Sequence, residues 1–362
     1  MGKNQHYIPQ FYMRMFSNNG KSVGSYVFSH ERYIKNASIK EINHKKHFYG
    51  DCGTNENVLS MLEGKWSCVI NNIVETQQVP RDEENYTYLL MFLLVSALRT
   101  PSVSNDFEKA MTKLVKIISE MYSKHGKQRN EPQVEFKGTP SMFLKSAIGM
   151  TPILLDLYPL LIINKTQNNF ITSDSPVAFY NQLFVAKNCK TPYGLGLCGL
   201  QILCPLSPRI CLCIYDNAIY KSNSSSDGNI IISSKKIIKE INKLSVLNSD
   251  NSLIFNNNSD ENIINKLARH KKNVTIGKSE IIEFPDSSKG VQMFVPKSVY
   301  EKIKLNFFKI NKQALKLSFP QKIVRPRAGD FLTSRHGEEN SRLTKYENIY
   351  FTPQTNIYDI PL

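Results

Sequence analysis

The sequence predicts an α+β fold, in which a helical N-terminal half is followed by a mainly antiparallel sheet with flanking helices. Three observations predict it. Apolar residues recur at helical spacing in three segments between residues 56 and 124. Short β-rich runs separated by turns follow between residues 160 and 215. Two further helical patterns, 234–247 and 260–270, come after these runs. Helices followed by strands are typical of an α+β architecture.

The first elements are a strand and a polar connection. Asn18-Asn19-Gly20 is a turn signal, and the alternation that follows it predicts a strand at 22–29. Residues 35–46 are polar, so we expect a surface connection there.

Helices dominate the next part of the chain. The segment 56–75 predicts an amphipathic helix, and 81–99 predicts a helix that is apolar on nearly all sides and therefore central. It ends at Arg99 because Pro101 disfavours helical geometry in the residue before it. Segment 104–124 predicts a third helix, and 140–157 a fourth with a kink at Pro152. The polar stretch 126–138 between them is expected to be a loop.

The second half of the chain is rich in short strands. Strands are predicted at 160–163, 170–173, 200–204, 210–215 and 252–255, and part of one more at 281–282. The Ser- and Asn-rich stretch 222–228 is a loop. We expect residues 1–300 to form a single α+β domain and residues 301–362 to form a basic segment packed on it or appended to it.

The chain of 362 residues carries a net charge of +15, which favours a nucleic-acid partner. The alternative is a bias toward Lys, Asn and Ile caused by AT-rich coding sequence. Eleven basic residues lie between Lys302 and Lys345, interleaved with phenylalanines. Such mixtures suit a phosphate backbone with stacked bases, although a solvated surface explains them equally well. Within this segment we expect Lys322, Arg325 and Arg327 to bind substrate.

The cysteines and the apolar runs predict a cytoplasmic protein. Seven cysteines are present without a C-x-x-C pair, which is typical of free thiols in a reducing compartment. No signal-peptide pattern opens the chain. The longest apolar run, from Leu89 to Leu98, is too short to cross a bilayer, so no membrane partner is expected.

Known catalytic motifs are absent. The sequence has no phosphate-binding Gly-rich loop, no H-E-x-x-H, no G-x-S-x-G and no kinase signature. His44 and His47 are three residues apart, but Lys45 and Lys46 lie between them and repel a cation, so metal binding there is disfavoured.

Three residues in the N-terminal part are candidate catalytic groups. His6 lies in an unusually aromatic N-terminal segment and is a candidate general acid or base, the alternative being a structural histidine. Glu56 and Glu63 are seven residues apart and therefore share one face of the predicted helix. Two carboxylates directed into a cleft can bind a divalent ion or act as acid and base, and the alternative is a solvated helix edge.

Arg99 and Asp174 complete the candidate set. Arg99 ends an apolar helix, and a buried arginine requires a carboxylate or a phosphate as its partner. Asp174 ends a predicted strand, where it can project into a pocket, although an Asx-turn would equally satisfy it. Gln10, Tyr12 and Tyr49 are expected to bind substrate beside these groups.

These stretches together resemble one bacterial family, the domain of unknown function 4238. The family's H-x-x-P-x-x-Y-L-x-x-F motif is similar to residues 6–16, where Met13 replaces the leucine. Its T-S-D-x-P-V element matches residues 172–177, and its P-L-S-P element matches residues 205–208. Further similarities are Phe48-Tyr49, the 56–63 helix with its glutamates, Arg99-Thr100-Pro101 and Leu247-Asn248. The resemblance covers roughly residues 3 to 275.

The resemblance implies a single-gene anti-phage defence protein with a phage-encoded trigger, and it brings no catalytic mechanism. Our first hypothesis is a toxic nuclease that cleaves RNA or DNA. In it Glu56, Glu63 and Asp174 bind Mg²⁺ or Mn²⁺, His6 is the acid or base, and Arg99 stabilises the transition-state charge.

The second hypothesis is an enzyme that depletes a small nucleotide such as NAD or a nucleoside triphosphate. The third is a non-enzymatic phage sensor whose motif residues form one buried polar network. The two enzyme hypotheses require His6, Arg99 and Asp174 to meet in one open cavity. The sequence leaves the oligomeric state open.

Overall fold

The computed structural model describes residues 4–49, 53–124, 139–188, 194–225, 228–274, 280–284, 291–295 and 301–316. The predicted α+β class is correct. The chain starts with strands, however, before its main helices. The N-terminal elements are β1 (Asn4–His6), α1 (Gln10–Arg14), β2 (Ser22–Val27), β3 (Arg32–Ser38) and β4 (His44–Lys46). The prediction of a surface connection at 35–46 was wrong, because β3 and β4 occupy much of it.

Four long helices follow, as the apolar spacing predicted. They are α2 (Gly53–Thr76), α3 (Glu83–Leu98), α4 (Pro101–Lys124) and α5 (Thr139–Met150). A short 3₁₀ turn, Thr151–Leu154, replaces the α-helix at Pro152, as proline chemistry requires. The predicted loop at 126–138 lies outside the described residues.

The remaining elements alternate between short strands and helices. They are β5 (Tyr158–Asn164), β6 (Thr172–Ser173), β7 (Ala178–Tyr180), α6 (Gln182–Ala186), β8 (Gln201–Pro205), β9 (Ile210–Tyr215), β10 (Tyr220–Ser222), β11 (Asn229–Ile232), α7 (Lys235–Asn248), β12 (Ser252–Phe255), α8 (Glu261–Lys272), β13 (Glu280–Phe284), β14 (Val291–Val295), β15 (Phe308–Ile310) and α9 (Lys312–Lys316).

Two sheets organise these elements. The larger has the order β11-β5-β9-β8-β7 and is antiparallel except for the β11-β5 pair. The second has the order β3-β2-β12-β6 and is antiparallel throughout. Three two-stranded ribbons, β1-β4, β10-β15 and β13-β14, complete the pairings among the described residues.

The five-stranded sheet separates two apolar clusters, because successive strand residues point to opposite faces. On one face, Leu161 and Ile163 pack in the cluster formed with α1, α2, α3 and α5. On the other, Leu160 and Ile162 pack in the cluster formed with α6, α7 and residues 303–308. The described start of the C-terminal segment therefore lies on the face opposite the N-terminal helices.

Within the part of the chain that the structure describes, no single helix is long and apolar enough to cross a membrane. One bent pair, Glu83–Leu98 with Pro101–Lys113 at 58°, meets the length and composition requirement when the two helices are taken together.

Candidate active site

The aromatic N-terminal motif is fixed by its apolar side chains. Tyr12, Met13 and Phe16, which lie in α1 and the turn that follows it, are 0% exposed, and so is Ile8 just before the helix. Strand β1 pairs with β4, and His6 lies opposite His44 in that ribbon. This anchoring leaves His6 half-buried at an edge of the molecule rather than in the core.

An open cavity of about 490 Å³ lies beside this motif, between β1, α1 and α2. Most of the residues that line it have polar or titratable side chains, and Phe11 and Leu59 add apolar surface. The residues that matter for chemistry are His6, Gln10, Arg14, Tyr49, Glu63 and Gly64. Four of the predicted site residues, namely His6, Gln10, Tyr49 and Glu63, therefore share one cavity.

His6 is held in one tautomer by two hydrogen bonds. Its Nε2 lies 3.2 Å from the carbonyl oxygen of Ile39, which can only accept, so Nε2 carries the proton. Its Nδ1 then accepts a weak hydrogen bond from Gln10 Nε2 at 3.4 Å. Gln10 in turn accepts from Arg14 Nη2 at 3.0 Å. The unprotonated Nδ1 of His6 is therefore the basic atom on this side of the cavity.

The environment keeps His6 uncharged. Burial lowers the pKa of His6, and the nearby His44 lowers it further, whereas the Ile39 carbonyl and the charge of Glu63 oppose this effect. The net result is a lowered pKa, so the imidazole is neutral at pH 7. A neutral imidazole can accept a proton from a nucleophile, which is the general-base role.

Arg99 lies beneath the cavity rather than in its wall. It is the C-cap of α3, and its side chain is 1% exposed. Its Nη1 donates to Glu63 Oε1 at 2.9 Å, and the Glu63 side chain is 27% exposed and lines the cavity. Burial alone lowers the pKa of Arg99, but Tyr49 and Glu63 raise it above its ordinary value, so the guanidinium stays charged. Arg99 thus acts on the cavity through Glu63.

Tyr49 forms the wall between β1 and the Arg99–Glu63 pair. Its backbone N–H donates to Gln5 Oε1 at 2.6 Å, which fixes the chain after β4. Burial raises the pKa of Tyr49 to about 12, although Arg99 lowers it in part. The phenol therefore stays protonated and can donate a hydrogen bond.

Asp174 does not share this cavity. Its Oδ1 accepts from the backbone N–H of Asp250 at 2.8 Å, and its Oδ2 accepts from Asn251 and Ser252 at 2.7 and 2.8 Å. Its side chain is 4% exposed and does not line the cavity. The expectation that Asp174 meets His6 and Arg99 in one open site is therefore wrong, because backbone donors occupy its carboxylate. The geometry required by both enzyme hypotheses fails at this residue, so a catalytic role for the cavity has to rest on His6, Glu63 and Arg99 without Asp174.

Tyr12 is also a structural residue. Its hydroxyl donates to the Pro205 carbonyl at 2.6 Å and lies 2.8 Å from Thr172 Oγ1, inside the core. The prediction that Tyr12 binds substrate is not retained, because its side chain is sealed from solvent. Asn248 likewise donates to the carbonyls of Ser175 and Val177 at 2.7 and 2.9 Å.

The metal prediction depends in part on a side chain that the structure does not describe. Among the described residues, no group of three His, Cys, Asp or Glu side chains is placed to hold a metal ion. Glu56 belongs to α2, but its side chain lies outside the described part. Lys322, Arg325 and Arg327 also lie outside it. The Mg²⁺ or Mn²⁺ site and the basic phosphate-binding segment therefore stay predictions.

Sequence reasoning missed one wall of the cavity. Ser60, Gly64 and Ser67 line it from α2, together with Glu63. A Cβ added at Gly64 would meet no atom within 4 Å, so this glycine faces open space. The spacing Ser60, Glu63, Ser67 is that of one helix face and could have revealed a polar stripe on an otherwise apolar helix.

The family of proteins described as "Protein of unknown function (DUF4238)" matches residues 4–259, more than half of the chain. No curated protein matches the chain. No solved structure matches it either.

Proposed function

We propose that this chain, which belongs to the DUF4238 family of proteins of unknown function, is an anti-phage defence effector and a toxic nuclease that acts in the cavity beside His6. One observation carries the proposal. The cavity brings a neutral imidazole and a carboxylate together, and that carboxylate is bound to a buried guanidinium. A base and a fixed positive charge are the groups that phosphodiester cleavage needs.

Each residue of the cavity has a separate role in the proposed cleavage reaction. His6 Nδ1 takes the proton of the attacking hydroxyl or water, because its pKa is lowered by burial. Arg14, which is exposed at the rim, contacts the phosphate backbone. Before substrate binds, Arg99 holds Glu63 through a contact of 2.9 Å. A phage-encoded trigger raises this activity further in infected cells, above the level that overexpression alone produces.

The second candidate is an enzyme that depletes a small nucleotide, and two observations favour it. The cavity of about 490 Å³ is within the range of small-molecule sites. The described start of the basic C-terminal segment packs in the apolar cluster on the other face of the five-stranded sheet. A small nucleotide fits within the cavity, so its binding does not require a basic surface outside the cavity.

Expression in bacterial cells tests both candidates. We expect the wild type to reduce viability and His6→Asn to relieve the toxicity, because asparagine cannot take up a proton. His30→Asn is the matched control, since His30 is exposed and does not line the cavity. Gels of total RNA and DNA and a nucleotide profile are recorded from the same cultures.

The outcomes separate the hypotheses. Broken RNA or DNA supports the nuclease, and loss of a nucleotide pool with intact nucleic acid supports the second candidate. Toxicity that survives His6→Asn with unchanged stability refutes both and favours the non-enzymatic sensor. Purified protein assayed with EDTA, Mg²⁺ or Mn²⁺ tests the predicted metal.

We also propose a cytoplasmic location. Four of the cysteines that the structure describes are free, namely Cys68, Cys204, Cys211 and Cys213. Burial raises the pKa of Cys204 to about 12, so this thiol stays protonated and unreactive. Buried free thiols suit a reducing compartment.

A further inference from the structure

The buried guanidinium of Arg99 has too few acceptors. The side chain is 1% exposed, and its Nη1 donates to Glu63. Its Nε and Nη2 are buried without a hydrogen-bond partner among the described residues. An arginine has five N–H donors in a planar fork that matches two oxygens of one anion. Besides the Glu63 contact, Tyr49 acts on the same guanidinium, but Nε and Nη2 still lack an acceptor within the described chain.

Two further polar atoms near Arg99 also lack a hydrogen-bond partner within the described chain. Trp66 lies one turn after Glu63 on α2, and Ser96 lies one turn before Arg99 on α3. The Trp66 Nε1 and Ser96 Oγ atoms are also buried without a partner within the described chain. The Trp66 ring lies 6.0 Å from the Arg99 Cζ atom. A buried donor without an acceptor destabilises the folded chain, so an added acceptor in this region would stabilise it.

Glu63 is what lies between Arg99 and the cavity. Its carboxylate contacts Arg99 through one oxygen, and its side chain is 27% exposed. It also lines the cavity. A partly exposed carboxylate with one contact can rotate into the cavity and leave the guanidinium open to another anion.

We propose that Glu63 is a displaceable occupant of an anion site, and that a phosphate group of the substrate replaces it on Arg99. A phosphate offers several oxygens, so it can engage the fork at two points where Glu63 engages one. The inference rests on the proposed function for the substrate class, since nucleotides and nucleic acids both carry this group.

Displacement has a consequence for His6. The negative charge of Glu63 raises the pKa of His6 against the effect of burial. When the carboxylate rotates into the cavity, it approaches the imidazole and strengthens this effect. Phosphate binding therefore makes His6 a stronger base in the presence of substrate.

Binding measured by calorimetry tests the proposal without any turnover. The probes are inorganic phosphate, adenosine 5′-monophosphate and a short single-stranded oligonucleotide. Glu63→Gln removes the competing charge and keeps the shape, so we expect it to bind phosphate at least about tenfold more tightly than the wild type. Glu75→Gln is the control for net charge, because Glu75 is exposed on the same helix and does not line the cavity.

Arg99→Lys keeps the charge but loses the fork, and we expect at least about tenfold weaker binding. If Arg99→Lys does not fold, the phosphate affinity of Glu63→Gln is by itself sufficient to test the proposal. Phosphate binding that Glu63→Gln leaves unchanged or weakens overturns the proposal, because Glu63 is then a fixed partner.

The probes also keep the two proposals apart. Tight phosphate binding by a protein that cleaves nothing refutes the nuclease and leaves the anion site standing. Cleavage that phosphate does not inhibit refutes the anion site and leaves the nuclease standing. Phosphate and the mononucleotide binding more tightly than the oligonucleotide favours the small-nucleotide substrate.

Discussion

Two substitutions at Gly64 test stability and phosphate binding separately. We expect both alanine and leucine to stabilise the protein, and leucine also to weaken phosphate binding. Gly64 lies in the interior of α2 and lines the cavity. A glycine inside a helix costs about 0.8–1.0 kcal/mol relative to alanine. A Cβ at this position meets nothing within 4 Å, so no clash offsets the gain. We therefore expect Gly64→Ala to raise the free energy of unfolding by about 0.8 kcal/mol.

A larger side chain at the same position tests the cavity itself. Leucine has nearly the helix propensity of alanine, so Gly64→Leu keeps the stability gain. Its side chain extends into the space where we place the substrate. We expect Gly64→Leu to weaken phosphate binding and to lower toxicity, whereas Gly64→Ala changes both only slightly.

Urea denaturation is the appropriate assay for stability. A change of 1 kcal/mol moves the melting temperature of a chain of 150–250 residues by only about 2–4 °C, and the shift is smaller for 362 residues. Gly149 supplies the control, because a Cβ there also meets nothing within 4 Å and it does not line the cavity. It lies in the last turn of α5, so Gly149→Ala should give a smaller gain and Gly149→Leu should leave binding unchanged.

Two results would refute this reasoning. A Gly64→Ala protein that is less stable than the wild type would show that the position is not open. A Gly64→Leu protein with full phosphate binding and full toxicity would show that the cavity is not where the ligand binds.

Three further changes test the remaining assignments. Asp174→Asn should lower the free energy of unfolding by about 2–4 kcal/mol in urea titrations, because three backbone N–H groups lose a charged acceptor. Tyr12→Phe should lower the free energy of unfolding by about 1–3 kcal/mol in the same assay. It should leave phosphate binding unchanged, since it removes the buried contacts of the hydroxyl with the Pro205 carbonyl and Thr172 Oγ1 but keeps the ring. Because the pKa of His6 is lowered in the folded state, the unfolded chain takes up a proton first as the pH falls, so stability should decline below the ordinary pKa of histidine. Melting curves between pH 8 and pH 5 should show a smaller decline for His6→Asn than for the wild type.

Much of the fold could be predicted from local patterns. Helices α2, α3 and α4 were predicted because apolar spacing over 16 to 24 residues is a strong signal. The strands β3 and β4 were missed because each carries several polar and exposed residues. Strand β4 is formed by pairing with β1 across the cavity edge, and no local pattern reports such a long-range pairing.

The sequence predicted that Arg99 has a charged partner, but it did not predict which carboxylates face the cavity. Residue type and spacing indicated that Arg99 needs an acidic partner, and Glu63 is that partner. Spacing could not distinguish a carboxylate that faces a cavity from one that faces backbone N–H groups. Asp174 and Glu63 differ in that respect, and the loop at Asp250 that occupies the Asp174 carboxylate lies 76 residues away in sequence.

The residues of the N-terminal motif have two roles. Some hold the fold together through buried contacts, and this packing positions the others in the cavity. Tyr12 binds the strand that ends at Pro205, and this fixes α1 against the five-stranded sheet. Helix α1 carries Gln10, whose amide orients the imidazole of His6. A substitution that unfolds a fraction of the chain through the buried network therefore removes the cavity from that fraction as well. Loss of function in a Tyr12 variant consequently identifies a catalytic defect only when the folded fraction is unchanged, whereas loss in a His6 variant of normal stability identifies the chemistry directly.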